Sequence, residues 1–444
     1  MSAPDAPRHA SDDPLAWLFA LQRFGARAGL GTMRELLARL GSPQRAFRTA
    51  LVGGTNGKGS VARLLAAALQ AGGWRTGLFT SPHLQRVGER ARVDGEEASA
   101  AEMAALVAEV RPLATELGAT FFEVVTAVAL LRFARAGVER AVLEVGMGGR
   151  LDATNAVEPE LTVVTGVALD HQGVLGASVA EIAGDKAGIL REGVPLVTAA
   201  TGEALAVLAE RAGSLGAPLV RYGEAFTAEG VSSGWEGVGF TLAWRGGGPL
   251  PDAGRLELAS PLVGRHQVAN VAQAAVAALL LGVAPGAVRE ALATARWPGR
   301  LERCSHRGRH VVLDGAHNPQ AAQALAVALQ ELEGRVAVLV VGVSEEKDVD
   351  ALLRAWHGLA RRVLFTRAER SPRAATPEAL LAAWRAGGGA PPAATAPGPA
   401  AALAAALDAT APGDTIVVAG SLFLVGEARD LLEGKGSEPF ERWQ

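Results

Sequence analysis

Apolar residues fall in short, nearly unbroken runs at 47–53, 76–80, 140–145, 161–167 and 194–198. Runs of this length, without two-residue alternation, predict strands buried on both faces and hence a parallel sheet covered by helices. Residues 59–71, rich in Ala and Leu and stopped by Gly72-Gly73, predict a helix between two such strands. Ahead of this series, residues 14–40 read as two short helices ending at Gly41, and residues 1–13 as a disordered tail. Between about 222 and 265 the pattern becomes alternating, as in Gly239-Phe240-Thr241-Leu242-Ala243-Trp244. Alternation predicts a small antiparallel sheet.

A Pro-Gly pair in Arg296-Trp297-Pro298-Gly299-Arg300 marks the expected boundary, giving domains 1–296 and 297–444. Beyond it a second βα series is predicted, with strands at 310–313, 336–343, 362–366 and 415–419 and a helix after each. The low-complexity stretch 386–399 reads as a loop or linker. The expected fold class is therefore α/β. It comprises a large N-terminal parallel-sheet domain of the P-loop type with a small antiparallel subsheet, and a smaller Rossmann-like C-terminal domain.

Composition narrows the function classes. With 46 acidic and 43 basic residues the formal charge is −3, which gives no electrostatic reason to expect nucleic acid as a partner. The single cysteine, Cys304, excludes an internal disulfide framework and any multi-cysteine metal site. The first residues lack the apolar segment of a signal peptide. The longest membrane-span candidate, around 271–284, is interrupted by Gln273. A cytoplasmic protein with no membrane partner is expected. Without heptads or an interface stripe, a monomer is the default. Lysine is rare: Lys58, Lys186, Lys347 and Lys435 are the only four, in a chain whose other basic residues are arginines. In such a composition a lysine draws attention to a place where a primary amine is needed.

The strongest local signal is Gly53-Gly54-Thr55-Asn56-Gly57-Lys58-Gly59-Ser60 between a predicted strand and helix. Glycines let successive N–H groups turn toward an anion, and the helix N-terminus adds a favourable dipole. Lys58 is placed to meet nucleotide phosphates, and Ser60 to bond a phosphate oxygen or approach a metal. The run departs from the standard phosphate-loop pattern at Val52 and at Gly59. Ser81, Glu144 and His171 each follow or end a predicted strand, where ligands gather in doubly wound sheets. Spacing alone leaves them open as a turn residue, an ion-pair member and a helix-start residue. Ser178-Val179-Ala180-Glu181 is a capping box that predicts a helix carrying Lys186. Thr120-Phe121-Phe122-Glu123 offers rings to stack on a flat heterocycle and a carboxylate to accept from an amino group; read plainly, the two phenylalanines are core. Asn270 reads as a helix cap.

Taken together, these blocks resemble the folylpolyglutamate synthase/dihydrofolate synthase family of ATP-dependent, Mur-ligase-like amide-forming enzymes. The resemblance rests on GTNGKGS (54–60), Thr80-Ser81-Pro82-His83-Leu84, Thr120-Phe121-Phe122-Glu123, GGRLDATN (148–155), Asp170-His171-Gln172 and Asp185-Lys186-Ala187-Gly188. It continues through Trp297-Pro298-Gly299-Arg300-Leu301-Glu302 and Asp314-Gly315-Ala316-His317-Asn318-Pro319 to Gly420-Ser421-Leu422-Phe423, in family order from about 29 to 430.

The resemblance implies that ATP is held by Gly54, Thr55, Asn56, Gly57, Lys58, Gly59 and Ser60, with Asn270, Arg300 and Asp314 closing over it. It implies Mg2+, in two sites, contacted by Ser81, Glu144 and His171, with a carbamate on Lys186 for the second ion. It places the pterin-bearing substrate near Gly29, Leu30, Thr120, Phe121, Phe122, Glu123, Leu151, Asp152 and Ala153. The residues expected in catalysis are Lys58, Lys186 and His317, the last near incoming glutamate or phosphate. The implied partners are small molecules: ATP, L-glutamate, and dihydropteroate or a reduced folate. A Mur-type ligase with another carboxylate acceptor and a non-catalytic nucleotide-binding regulator remain as alternatives.

Overall fold

The computed structural model describes residues 12–21 and 29–434. The predicted tail up to residue 11, Arg27-Ala28 beside the expected pterin residues, and Lys435 lie outside the described residues. The first helix, Pro14–Ala20, opens with Asp13 accepting from the Leu15 N–H, and the second is Gly31–Arg39.

The large sheet comprises β1 (Arg48–Gly53), β2 (Thr76–Phe79), β3 (Ala91–Val93), β4 (Glu96–Glu97), β5 (Arg140–Glu144), β6 (Pro159–Val164), β7 (Leu196–Thr198) and β8 (Leu219–Arg221). Their spatial order is β4-β3-β2-β5-β1-β6-β7-β8. The six strands from β2 to β8 in that order run parallel, while β3 and β4 add an antiparallel edge. The unbroken apolar runs have a direct cause. Along β1, Ala50 and Val52 face a core shared with the helices Lys58–Ala71 and His266–Leu280, while Leu51 faces the opposite core with the helix Phe121–Arg135. Register sets Val52 opposite both Glu144 and Val163, so the carboxyl ends of β1, β5 and β6 lie level. The run expected to 167 leaves the ladder after Val164, because the Thr165 hydroxyl turns to Asn56 O at 2.6 Å.

The alternating segment forms the antiparallel sheet of β9 (Phe226–Gly234), β10 (Gly237–Trp244) and β11 (Gly254–Ser260). Phe240, Leu242 and Trp244 of β10 join the core of the large sheet.

The remaining strands are β12 (Glu302–His306), β13 (Arg309–Asp314), β14 (Val336–Val341), β15 (Ala360–Phe365), β16 (Ala393–Thr395) and β17 (Thr415–Ala419). They form a six-stranded sheet in the order β12-β13-β17-β14-β15-β16. It is parallel except for β12, which pairs antiparallel with β13. β16 corrects the reading of 386–399 as a pure loop: Ala393–Thr395 pairs with Val363–Phe365 at the sheet edge. Its small side chains bury little, so only backbone pairing marks it as a strand.

The loop after β2 joins the two sheets. Leu84 enters the core of the six-stranded sheet. Gln85 Nε2 donates to Asp430 Oδ1 at 2.7 Å on the helix Leu422–Glu433, and Arg429 from that helix reaches Gln85 and Glu302. Among the described residues, no helix is long and apolar enough to cross a membrane.

Candidate active site

The glycine loop stands at the carboxyl end of β1 and is fixed from behind by the segment after β6. The Thr55 N–H donates to Gly166 O at 2.7 Å, and the Ala168 N–H donates to the Thr55 hydroxyl at 3.1 Å. Gly57 caps the helix Lys58–Ala71 with φ +85°, and a Cβ there would lie 2.4 Å from Asn270 Oδ1. A Cβ on Gly59 would meet the Trp297 indole nitrogen at 3.0 Å and Glu144 Oε2 at 3.3 Å. The departure from the standard pattern after the lysine thus has a steric cause: an indole and a carboxylate crowd the place of a side chain. Asn270 is not the cap expected of it. The helix begins at His266, and Asn270 lies in its second turn, donating to Gln267 Oε1 at 2.8 Å while facing Gly57. The buried Ser60 hydroxyl has no hydrogen-bond partner among the described residues.

Three ionisable groups are buried around this loop. Lys58 Nζ donates to Thr55 O at 3.1 Å; burial pushes its pKa down, with Glu144 opposing. Glu144 Oε2 accepts from the Ser81 N–H at 3.0 Å. Burial pushes its pKa up, against the pull of Lys58 and the Ser81 N–H. Lys186 ends the capped helix Val179–Lys186 and donates from Nζ to Gly54 O at 2.9 Å. Burial, then the Lys58 charge, lower its pKa to about 7, so a substantial fraction is neutral amine near neutral pH.

The 148–155 motif holds the Lys186 helix in place. The Arg150 N–H donates to Asp185 O at 3.0 Å, and Asn155 Nδ2 donates to Gly188 O at 3.1 Å. Asp152 organises that loop, accepting from the Met147 N–H at 2.9 Å and the Thr154 hydroxyl at 2.6 Å. Leu151 and Ala153 flank it, half-buried and buried. In the 120–123 block, Glu123 Oε2 accepts from the Thr120 N–H at 2.8 Å and its hydroxyl at 2.9 Å, so this carboxylate closes its own helix cap. Phe121 is core, stacked on Phe19 at 6.2 Å. Half-buried Phe122 lies against Gly146 and edge-on to Phe79. Gly29 and Leu30 stand at the start of the helix Gly31–Arg39.

The six-stranded sheet brings its own carboxyl ends to the same crevice. Asp314 closes β13, its two oxygens accepting from the Leu301 and Ala316 N–H groups, both at 2.8 Å. Arg300 Nη1 donates to Gly299 O at 2.9 Å. His317 Nδ1 lies 2.8 Å from Gly315 O. A carbonyl only accepts, so Nδ1 carries the proton and Nε2 offers a lone pair. Burial and then Lys347 lower the His317 pKa to about 4.

A polar network spans the two sheets. Asn318 Nδ2 donates to Asn56 Oδ1 and to Asp170 Oδ2, both at 3.0 Å, and Asn56 Nδ2 donates to Gln320 Oε1 at 2.7 Å. Asp170 Oδ1 accepts from Lys347 Nζ at 2.6 Å, with both side chains about a tenth exposed. His171 adopts a left-handed backbone, φ +51°, uncommon outside glycine. Its Nε2 lies 3.5 Å from Lys347 Nζ.

The expected site residues therefore divide. Ser81 and Glu144 touch, and Lys58 and Lys186 flank the same loop, whereas His171 stands with Asp170 and Lys347. Among the described residues, no group of three or more His, Cys, Asp or Glu side chains gathers to hold a metal ion. A cleft opens beside Gly59, Ser81 and Glu144 and is closed by Trp297, Arg300 and Leu422. Asp170, Lys347 and Trp297 were not among the expected site residues. The rarity of lysine was the one signal that pointed to Lys347.

The Asp170–Lys347 pair yields a stability prediction. Burial opposes ionisation of Asp170, but Lys347, His171 and His317 together hold its carboxyl below the usual range. A depressed folded value means that this contribution is complete above the unfolded carboxylate pKa and is lost as pH falls through the folded value. At neutral pH, Asp170→Asn leaves Lys347 buried without a counter-charge and should cost about 3–5 kcal/mol in urea unfolding. The paired change Asp170→Leu with Lys347→Met should cost clearly less. Equal losses for the single and paired changes would refute a buried, mutually compensating pair.

The Mur ligase middle domain family matches residues 52–278, and the Mur ligase, glutamate ligase domain family matches 299–422. The dihydrofolate synthase/folylpolyglutamate synthase of Bacillus subtilis is 36% identical over 80% of this chain and 85% of its own length. A probable bifunctional folylpolyglutamate synthase/dihydropteroate synthase of Haloferax volcanii is 40% identical over 93% of this chain and 49% of its own length. The chain thus spans about half the length of that relative. Among solved structures, the Mycobacterium tuberculosis folylpolyglutamate synthase complexed with ADP has 34% identity and a TM-score of 0.87, covering 96% of this chain and 99% of that one. Escherichia coli FolC in complex with DHPP and ADP has 32% identity and a TM-score of 0.84, with the same coverage. By sequence over most of its length and by fold, the chain belongs to the folylpolyglutamate synthase/dihydrofolate synthase family of Mur ligases.

Proposed function

We propose that the chain is an ATP-dependent ligase joining L-glutamate to the carboxylate of a reduced folate, or of dihydropteroate, with release of ADP and phosphate. The observation that carries this reading is the meeting of the glycine loop, Lys58 and the Ser81–Glu144 pair with the carboxyl ends of a second sheet bearing Arg300, Asp314 and His317. The relatives solved with ADP and with DHPP bind chemistry of the same kind.

In this reading the loop from Gly54 to Ser60 cradles the ATP phosphates, and the unpartnered Ser60 hydroxyl gains an acceptor there. Asn270, Arg300 and Asp314 close over the nucleotide from the far side. The oxygens of Ser81 and Glu144 would suit a magnesium ion, for which His171, standing here beside Asp170 and Lys347, would have to turn inward, and a carbamate on Lys186 would help to hold a second. When bound, the ion neutralises phosphate charge. Lys186 is suited to carbamylation because carbon dioxide adds only to a neutral amine, and a substantial fraction of this one is neutral near pH 7. In this reading Phe122, Leu151 and Ala153 serve the pterin, and the bonds of Thr120 with Glu123 and of Asp152 with Met147 hold their loops, with Phe121 in the core behind.

An ionised carboxylate is a poor acyl donor to an amine. Its oxygen attacks the γ-phosphorus, the bond to ADP breaks, and Lys58 stabilises the charge on the transferring group. The amine of glutamate then attacks the acyl carbon, the C–N bond forms, and phosphate departs with the former carboxylate oxygen. The Nδ1–Gly315 bond leaves the His317 Nε2 lone pair free, and in this reading it accepts a hydrogen bond from that amine. The clasp between the sheets keeps water from the acyl phosphate. Both halves of the site come from one chain, which supports a monomer as the active unit. A cytoplasmic location suits an enzyme that consumes ATP.

Purified protein given ATP, labelled glutamate and either tetrahydrofolate or dihydropteroate should form a labelled amide with at least one acceptor. Its ATP consumption should require glutamate, which a nucleotide-binding regulator would not show. Lys58→Ala should retain the fold by circular dichroism and lose at least about a hundredfold in kcat; near-normal turnover would refute the assignment. With 13C-bicarbonate, wild-type protein should show a carbamate signal that grows from about pH 6 to pH 8 as Lys186 deprotonates. Lys186→Ala should abolish it. A signal that persists in that variant would contradict the carbamate.

A further inference from the structure

The cleft beside Ser81 and Glu144 carries more positive charge than its own carboxylates balance. Arg86, Arg92, Arg300 and Arg429 line it, against Glu89 and Glu144. Arg429 is matched by Glu302 at 3.1 Å and Glu433 at 3.1 Å. Arg86 is matched by Glu97 at 2.7 Å. That leaves two without an ion pair among the described residues, Arg300 at the junction of the two sheets and Arg92, half-buried on β3 opposite Leu78 of β2 and Glu97 of β4.

Two carboxylates beside Arg92, that of its register partner Glu97 and that of Glu89 three residues before it, are already committed. Glu97 is held by Arg86 through both Nη2 and Nε, at 2.7 and 2.9 Å. Glu89 accepts from the N–H groups of Leu84, Gln85 and Arg86 at 2.9, 3.0 and 2.9 Å. Arg92 itself makes one long bond, Nε to Glu89 O at 3.4 Å. Behind it, Arg63 of the helix Lys58–Ala71 lines a small recess with Thr76, Leu78 and Gly95. Arg63 is also half-buried, and burial followed by the nearby Arg92 charge pushes its pKa down. Among the described residues, neither Arg63 nor Arg92 has an ion-pair partner. Two neighbouring, partly desolvated guanidinium groups repel one another unless an anion stands between or before them. Their forked donors fit a carboxylate in two-point contact.

We propose that Arg92, backed by Arg63 and lining the same cleft as Arg300, forms a subsite for a carboxylate of the reacting ligands. The proposal rests on the ligase reading, because the cleft leads to the pair Ser81–Glu144 where that reading activates the acceptor. Two sources share this chemistry: the side-chain carboxylate of the incoming amino acid, and an α-carboxylate of a γ-glutamyl tail already on the folate. The subsite takes a carboxylate group rather than a nucleotide phosphate, which the glycine loop already serves.

Steady-state kinetics of Arg92→Gln and Arg63→Gln separate these sources. The Michaelis constant for L-glutamate should rise about tenfold if the incoming amino acid is held there. If the tail is held, the constant for triglutamyl tetrahydrofolate should rise about tenfold while that for the monoglutamate stays put. In either case kcat and the constant for ATP should change less than about twofold, and Arg92→Lys should recover part of the loss. Melting temperature should not fall, since each change removes a repulsion. Unchanged constants for all carboxylate substrates would overturn the subsite, as would a uniform loss of stability and activity. Should the wild type form no amide with any folate, the ligase reading fails by itself. Calorimetry with a tri-γ-glutamate peptide then decides the subsite: tighter binding to wild type than to Arg92→Gln supports it, and equal binding or none overturns it.

Discussion

Buried charge is the constraint on which this structure depends. Lys58, Lys186 and Glu144 are all enclosed around one glycine loop, and each is pushed toward its neutral form by burial. The mutual attraction of Lys58 and Glu144 offsets only part of that cost. On the proposed reading, what the site binds completes it: phosphate oxygens would satisfy the amine and the loop N–H groups, and a cation the carboxylate. The rest of the large sheet serves to hold these groups in place. Level strand ends put Glu144 beside the loop, and the 148–155 motif bonds to the end of the Lys186 helix so that its amine reaches Gly54 O.

The second sheet extends the same logic across a crevice. Its strand ends present Asp314, His317 and Lys347, and the amide pair Asn56–Asn318 ties the glycine loop to the first turn of a helix on the other side. Asp170 and Lys347 close the crevice with a buried ion pair. An acyl phosphate is destroyed by water, so an enzyme that forms one needs its two halves held together while the amine attacks. The network is polar and fully shared between the sheets, which suits contacts that must part to admit and release substrates.

Much of this was legible in the sequence because the relevant signals are local. Continuous apolar runs reveal a sheet covered on both faces, and the capping box at Ser178 places the Lys186 helix correctly. The glycine loop is readable because few backbones other than an anion cradle need that density of glycine. What escaped depends on tertiary partners. Asn270 resembled a cap until the helix proved to begin four residues earlier, which turns the same side chain toward Gly57. Glu123 is a different case: its carboxylate closes its own helix cap with Thr120, a local pattern of the same kind as Ser178–Glu181 that the offer of a ligand acceptor overshadowed. The edge strand Ala393–Thr395 is invisible to hydrophobic patterning because its backbone, not its side chains, makes the contact. Lys347 lies 177 residues from Asp170, and no local pattern joins them.

The central claim is that the acceptor carboxylate is activated by phosphoryl transfer before the amine attacks. Isotope transfer tests it most directly. With both oxygens of the acceptor carboxylate labelled as oxygen-18, the account predicts one labelled oxygen in each phosphate released during amide formation, the other remaining in the amide carbonyl. Released phosphate free of the label would contradict it.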